Sequence, residues 1–126
     1  MKVQDIMNEV AVIKKDIKLI EIAKIFADEN ISSLVLIQRK RLKGIVTERD
    51  VVRNIESLNK KFTDVMTKDV ITILPNKDLD EAAEIMRING VKRLLVADKD
   101  DTLVGIVTVT DLIANADMLN SSASFF

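Results

Sequence analysis

Apolar and polar positions fall in one order along this chain, and the order is run through twice. A short amphipathic turn comes first, over 3–7 and again over 62–66. An apolar extended run follows, at 10–13 and at 70–74. Next comes a stretch with helical spacing, 19–29 and 79–89, in which apolar residues recur every three to four positions. Two further extended runs form each predicted hairpin: 34–38 with 42–46, and 94–97 with 103–107. The turns between them are 38–41 and 98–102, the latter rich in Asp. Each round closes on a predicted helix, 48–58 and 109–118. Asp78 with Glu81 reads as a capping box for the second long helix, whereas Lys18, its counterpart, offers no capping oxygen to the first.

Matching residues make the repetition explicit. Asp5-Ile6-Met7 is answered by Asp64-Val65-Met66 at an offset of 59, and Leu34-Val35-Leu36 by Leu94-Leu95-Val96 at 60. The longest match is Gly44-Ile45-Val46-Thr47-x-x-Asp50 with Gly105-Ile106-Val107-Thr108-x-x-Asp111, at 61. Single-residue slips of this kind belong in loops, so the chain is two copies of a unit of about sixty residues. The boundaries drawn from sequence are 1–58 and 59–120, with a linker over 54–61 and a tail at 121–126 in which Phe125-Phe126 could dock.

The Thr-x-x-Asp steps carry two compatible readings. Each is a capping-box pattern, with the Thr oxygen satisfying an orphan N–H and the acid reaching back. Each also lies where a strand runs into a helix, so that free N–H groups and the positive helix end favour an anion.

The helix predicted from Leu19 is unusually apolar: from Leu19 to Ala27 only Glu21 and Lys24 are charged. Its apolar side chains cover roughly 220° of the helix surface, more than one core-facing stripe requires. Either this helix is buried more deeply, or one flank is a subunit contact; the second reading is preferred.

Composition narrows the function classes. With 19 basic and 20 acidic residues the net charge is −1, so no global field steers nucleic acid or membrane. Four Phe without Trp or Tyr leave little for base stacking. Cys and His are both absent, which removes thiolate chemistry, disulfides, the commonest general base and the commonest metal ligand. No apolar run approaches membrane-spanning length and no secretory h-region follows Met1, so a cytoplasmic location is expected.

A tandem of strand-helix-strand-strand-helix units, each ending in Gly-Ile-Val-Thr-x-x-Asp, strongly resembles a pair of CBS domains, the cystathionine β-synthase type, often called a Bateman module. The Asp-Ile-Met and Asp-Val-Met openings and the stretch from Gly90 to Asp98 fit the same family, and the likeness covers about 3–117. It implies an α/β (α+β) fold of two β-α-β-β-α repeats related by a pseudo-twofold axis. It further implies two clefts between the repeats that bind adenosine-type ligands. Under that likeness Asp50 and Asp111 accept hydrogen bonds from ribose hydroxyls, and Thr47, Thr108 and Thr110 face phosphate. The base is expected between Val12, Ile13 and Ile31 in one cleft, and among Ile71, Thr72, Pro75 and Val91 in the other. Lys92 and Arg93 stand where relatives carry phosphate ligands, but the first repeat has Ser32 and Ser33 there and offers Arg49 and Arg53 instead. The pockets are therefore expected to differ.

The function expected is a non-catalytic regulatory module. It takes AMP, ADP, ATP or S-adenosylmethionine as regulatory ligand, requires no cofactor or metal, forms a homodimer and signals to a regulated protein. The alternatives are a dimerising scaffold with empty clefts and, with less support, nucleic-acid binding through Lys92 and Arg93. Catalysis ranks last because no base stands beside a nucleophile.

Overall fold

In the computed structural model residues 1–116 are described. The elements in chain order are α1 (Val3–Ile6), β1 (Val12–Ile13), α2 (Leu19–Glu29), β2 (Ser33–Gln38), β3 (Arg41–Thr47) and α3 (Glu48–Arg53). The same series returns as α4 (Phe62–Val65), β4 (Thr72–Ile73), α5 (Leu79–Asn89), β5 (Arg93–Ala97), β6 (Leu103–Thr108) and α6 (Val109–Ala114). Two three-stranded sheets result, β1-β2-β3 and β4-β5-β6. In each the short first strand runs parallel to the second, and the second and third form an antiparallel hairpin. This is the α/β architecture of two like repeats expected from sequence.

The compact units are offset from the sequence repeats. Among the described residues one consists of Val10–Val70; the other joins Met1–Glu9 to the chain from Ile71 to residue 116. Each repeat's opening segment has been exchanged for the other's. Thr67, just after α4, pairs with Ile45 of β3 through two backbone bonds of 2.9 and 3.1 Å. Asn8, just after α1, pairs with Ile106 of β6 in the same way, at 2.8 and 2.9 Å. Phe62 is fully buried in the core of the first of these units with Leu19, Ile22, Phe26, Leu34 and Val46. Val3 is fully buried in the other with Leu79, Ala82, Leu94, Val107 and Leu112. Burying side chains of this size stabilises each exchange by about 1.5–3 kcal/mol.

This exchange supplies the physical reason for the repeated glycine. A Cβ on Gly44 would stand 2.7 Å from both Thr67 O and Met66 Sδ, and one on Gly105 would stand 2.7 Å from Met7 Sδ and 3.1 Å from Asn8 O. The Asp-x-Met openings and the Gly-Ile-Val-Thr steps are therefore contacting partners. The Met side chain and the carbonyl after it lie against a strand position that has no room for a side chain.

Helix ends depart from the expectations in three places. The box at Asp78 and Glu81 does not form, because the Asp78 carboxylate accepts instead from Lys2 Nζ at 2.9 Å. Lys18 does precede α2 at Leu19, and the acid three residues on does the capping: Glu21 Oε2 accepts from Lys18 N at 3.0 Å. Finally, α3 and α6 stop at Arg53 and Ala114, well before 58 and 118. Asn54 and Asn115 end them, each side-chain amide donating to a carbonyl one turn back, Asp50 O at 2.7 Å and Asp111 O at 2.8 Å. Position 118 and the tail with Phe125-Phe126 lie outside the described residues.

Within its unit α2 buries Leu19, Ile22 and Phe26 and partly covers Ala23 and Ile25, while Ile20 remains 37% exposed. Its broad apolar surface is thus only partly consumed by its own core. Among the described residues no helix is long and apolar enough to cross a membrane.

Candidate functional site

Each Thr-x-x-Asp step closes into a capping box at the start of a six-residue helix. The geometry follows from the backbone: Thr47 and Thr108 are extended, at φ −115° and −116°, and the next residue is helical. That places the acid at the third helical position, under the Thr N–H. Asp50 Oδ2 accepts from Thr47 N at 2.8 Å and from Thr47 Oγ1 at 3.1 Å. Asp111 Oδ2 accepts from Thr108 N at 2.8 Å and Thr108 Oγ1 at 2.9 Å. Thr108 Oγ1 in turn accepts from Asp111 N at 3.2 Å.

The capping reading is therefore realised in both copies, and it leaves part of each carboxylate unused. Every donor to the Asp50 and Asp111 carboxylates, main-chain and side-chain alike, meets Oδ2, so Oδ1 has no hydrogen-bond partner among the described residues. Both residues are half-buried, and no buried side-chain oxygen there is unsatisfied, so each Oδ1 reaches solvent. A carboxylate with one oxygen anchored and one open is a positioned acceptor, suited to hydroxyl donors. The Thr hydroxyl protons, by contrast, are committed to the carboxylate.

The residues assembled around each box come from the same compact unit. Around Thr108 and Asp111, the carbonyl of Lys92 accepts from Val109 N at 2.8 Å, and Arg93 pairs across the sheet with Thr108. Lys92 is exposed and Arg93 half-buried, and both stand at the start of β5, beside the start of α6. Val91 and Ile71 pack on the core from its edge, and Ile71 O accepts from Leu95 N at 3.3 Å. Thr72 is exposed on β4, and Pro75, beyond it, is half-buried and accepts at its carbonyl from Gln4 N at 2.9 Å. Thr110 is exposed on the first turn of α6.

Around Thr47 and Asp50 the arrangement is the same with other side chains. Ser32 O accepts from Glu48 N at 3.0 Å and Ser33 pairs with Thr47, so two serines occupy the places of Lys92 and Arg93. Ile13 and Ile31 are half-buried against the core, Val12 is 40% exposed, and Arg49 is exposed on the first turn of α3.

Sequence reasoning passed over three asparagines. Asn54 and Asn115 hold the main-chain carbonyls of Asp50 and Asp111 from below, and their shared spacing four residues after each Asp was a usable signal. Asn8 donates from Nδ2 to Asp111 Oδ2 at 3.1 Å. Nothing local marks it, since Asn8 is 103 residues from Asp111 and its counterpart is Thr67.

Comparison with known proteins identifies the arrangement. The CBS domain model matches twice, over residues 3–57 and 62–117. An uncharacterised protein of Methanocaldococcus jannaschii is 37% identical over 114 residues, 90% of this chain. The chain spans only 38% of that relative's length, and less than a quarter of the next two curated relatives it matches. Among solved structures, a CBS domain pair in complex with 5′-methylthioadenosine and S-adenosyl-L-methionine superposes with a TM-score of 0.84 at 28% identity, covering 93% of this chain and 96% of that one. A CBS domain protein of Pyrobaculum aerophilum complexed with AMP shares the fold at 24% identity and a TM-score of 0.80, covering 89% and 90% of the two chains. With two matched domains over nearly its whole length and both Gly-Ile-Val-Thr-x-x-Asp steps folded alike, this chain belongs to the CBS-domain family.

Proposed function

We propose that this protein is a regulatory module whose Thr-Asp boxes bind an adenosine-type ligand, with Asp50 and Asp111 receiving the ribose hydroxyls. The observation that carries the reading is the carboxylate of each box, held by Oδ2 and open at Oδ1. The solved relative at 28% identity, which holds two adenosyl compounds, supports the same ligand class. Lys92 gives the second box a strand-side cation for phosphate or carboxylate, where the first has Ser32 and Ser33. Arg49 serves the first box from its helix side. The apolar faces at Ile13 with Ile31, and at Ile71 with Val91, receive the base, alongside Val12, Thr72 and Pro75.

The regulatory step is differential binding: the ligand shifts a conformational equilibrium only as far as its affinities for the two states differ. Coupling of about 1–3 kcal/mol to a regulated protein is the ordinary scale. The exposed Val52 (67%) and Ile55 (62%), with Ile20 on α2, suit coverage by a second copy of the chain in a homodimer.

A thermal scan with AMP, ADP, ATP, S-adenosylmethionine and 5′-methylthioadenosine tests the reading. At a hundredfold excess over its dissociation constant the ligand stabilises by about 2.7 kcal/mol. Absence of a shift with all five compounds refutes ligand sensing and leaves the dimerising scaffold.

A further inference from the structure

At the far end of the β2–β3 hairpin, away from the Thr47–Asp50 box, an open concavity of about 760 Å³ is lined by Lys14, Ile37, Gln38, Arg39, Lys40 and Lys43. Four of its six lining residues are cations and none is an acid. Among the described residues no carboxylate forms an ion pair with any of the four.

The fold does not ask for these cations. Arg39 and Lys40 are the two central residues of a tight hairpin turn, and both have positive φ, 52° and 63°. That turn favours Asn-Gly, because a side chain with a Cβ is sterically strained there. Lys43 is the residue bulged out between the pairs Leu36–Gly44 and Ile37–Leu42, and Lys14 comes from just beyond β1. Four like charges gathered at one end also repel one another.

The equivalent turn of the second repeat shows what the fold itself needs. There Asp98 Oδ1 accepts from Asp100 N at 2.9 Å and Thr102 N at 3.0 Å, so its charge has a local structural use. Val104 takes the bulge position held by Lys43. The basic cluster is thus a property of one repeat alone.

We propose that this concavity is a second ligand site, for a compound carrying several linked phosphates. A compact oligophosphate places charges close enough to meet cations from a turn, a bulge and the segment after β1 at once, with Ile37 and Gln38 completing the lining. Nucleic acid fits less well, since the chain has no Trp or Tyr for stacking and the cluster is confined to one hairpin end. The concavity lies apart from the Thr47–Asp50 box: Lys43, the lining residue nearest to Thr47 along β3, is four residues from it, about 13 Å in an extended strand.

The test uses inorganic tripolyphosphate as probe, read by backbone amide shifts and titration calorimetry. The wild-type protein is compared with the double variant Arg39→Asn/Lys40→Gly. Tripolyphosphate is expected to move the amides of Lys14, Arg39, Lys40 and Lys43 in the wild type. In the variant affinity falls by about tenfold or more, while the melting temperature rises by about 3–6 °C as the turn strain is relieved. Vesicles of phosphatidylcholine with a bisphosphorylated inositol lipid, run in parallel, decide whether the phosphates come from a headgroup or a free ion; binding through the same four residues in either arm sustains the site. Three results overturn it: equal affinity in the variant, shifts confined to Thr47–Asp50, or an oligonucleotide binding these residues more tightly than tripolyphosphate does.

Discussion

Replacing Gly44 by Ala tests the exchange of opening segments directly. The residue does not need glycine's backbone freedom, because its φ is not positive. What it lacks is space: the new Cβ meets Thr67 O at 2.7 Å, against about 3.3 Å for an ordinary C···O approach. The Thr67 carbonyl cannot retreat freely, since it accepts from Ile45 N at 3.1 Å while Thr67 N donates back to Ile45 O at 2.9 Å. Overpacking costs about 1–3 kcal/mol, and weakening one or both bridge bonds adds about 0.5–1.5 kcal/mol each. The expected loss is therefore about 1.5–6 kcal/mol. Gly105→Ala is milder, about 1–2 kcal/mol, because Asn8 O stands at 3.1 Å and the closest atom is the mobile Met7 Sδ. Urea unfolding followed by circular dichroism, with linear extrapolation, measures both. A double-mutant cycle sharpens the contrast: Met7→Ala should rescue Gly105→Ala by about 1 kcal/mol, while Met66→Ala leaves the Thr67 clash in place. Equal costs at the two glycines, or a neutral Gly44→Ala, would refute the reasoning.

Three further outcomes follow from the same geometry. Asp111→Ala removes an acceptor with three donors and Asp50→Ala one with two, so we expect losses of about 2 and about 1 kcal/mol in thermal unfolding. Each variant also loses adenosyl-ligand binding at its own box, read by calorimetry, which a purely structural cap would not require. Gly90→Ala should cost about 1 kcal/mol although no atom lies within 4 Å of the new Cβ, because φ there is +62°; its chemical-denaturation midpoint is the readout. The Lys2 ammonium beside Asp78 holds its carboxyl below the ordinary value of 3.8. A carboxyl depressed in the folded state contributes stability above its unfolded value and loses it as pH falls through the folded value. The wild-type advantage over Lys2→Met should therefore be present near neutral pH and narrow only below about pH 4, and high salt should erase it, as for any exposed pair.

The local code of this chain was strong because it is written twice. Apolar spacing placed α2 and α5 to the residue, and the hairpins nearly so, since helical and strand periods are properties of neighbouring residues. The Thr-x-x-Asp boxes were legible for the same reason: donor and acceptor lie three residues apart. The early ends of α3 and α6 were in principle readable too, from Asn54 and Asn115, but an asparagine amide competing for a carbonyl leaves the apolar pattern unchanged. What no local pattern holds is which copy of a repeated segment packs on which sheet. Met7 and Met66 are chemically alike, as are Gly44 and Gly105, so either pairing satisfies the same contacts. Only the tertiary structure decided that Val3 and Asn8 belong with β6 and Phe62 and Thr67 with β3. The same is true of Asn8 reaching Asp111, and of Asp78 leaving its own helix for Lys2. Sequence thus determined the elements, their duplication and the two carboxylate boxes, because each depends on residues a turn or a strand apart. The folded chain decided the exchange of segments and the gathering of four cations at one hairpin end, because those depend on contacts between residues far apart in sequence.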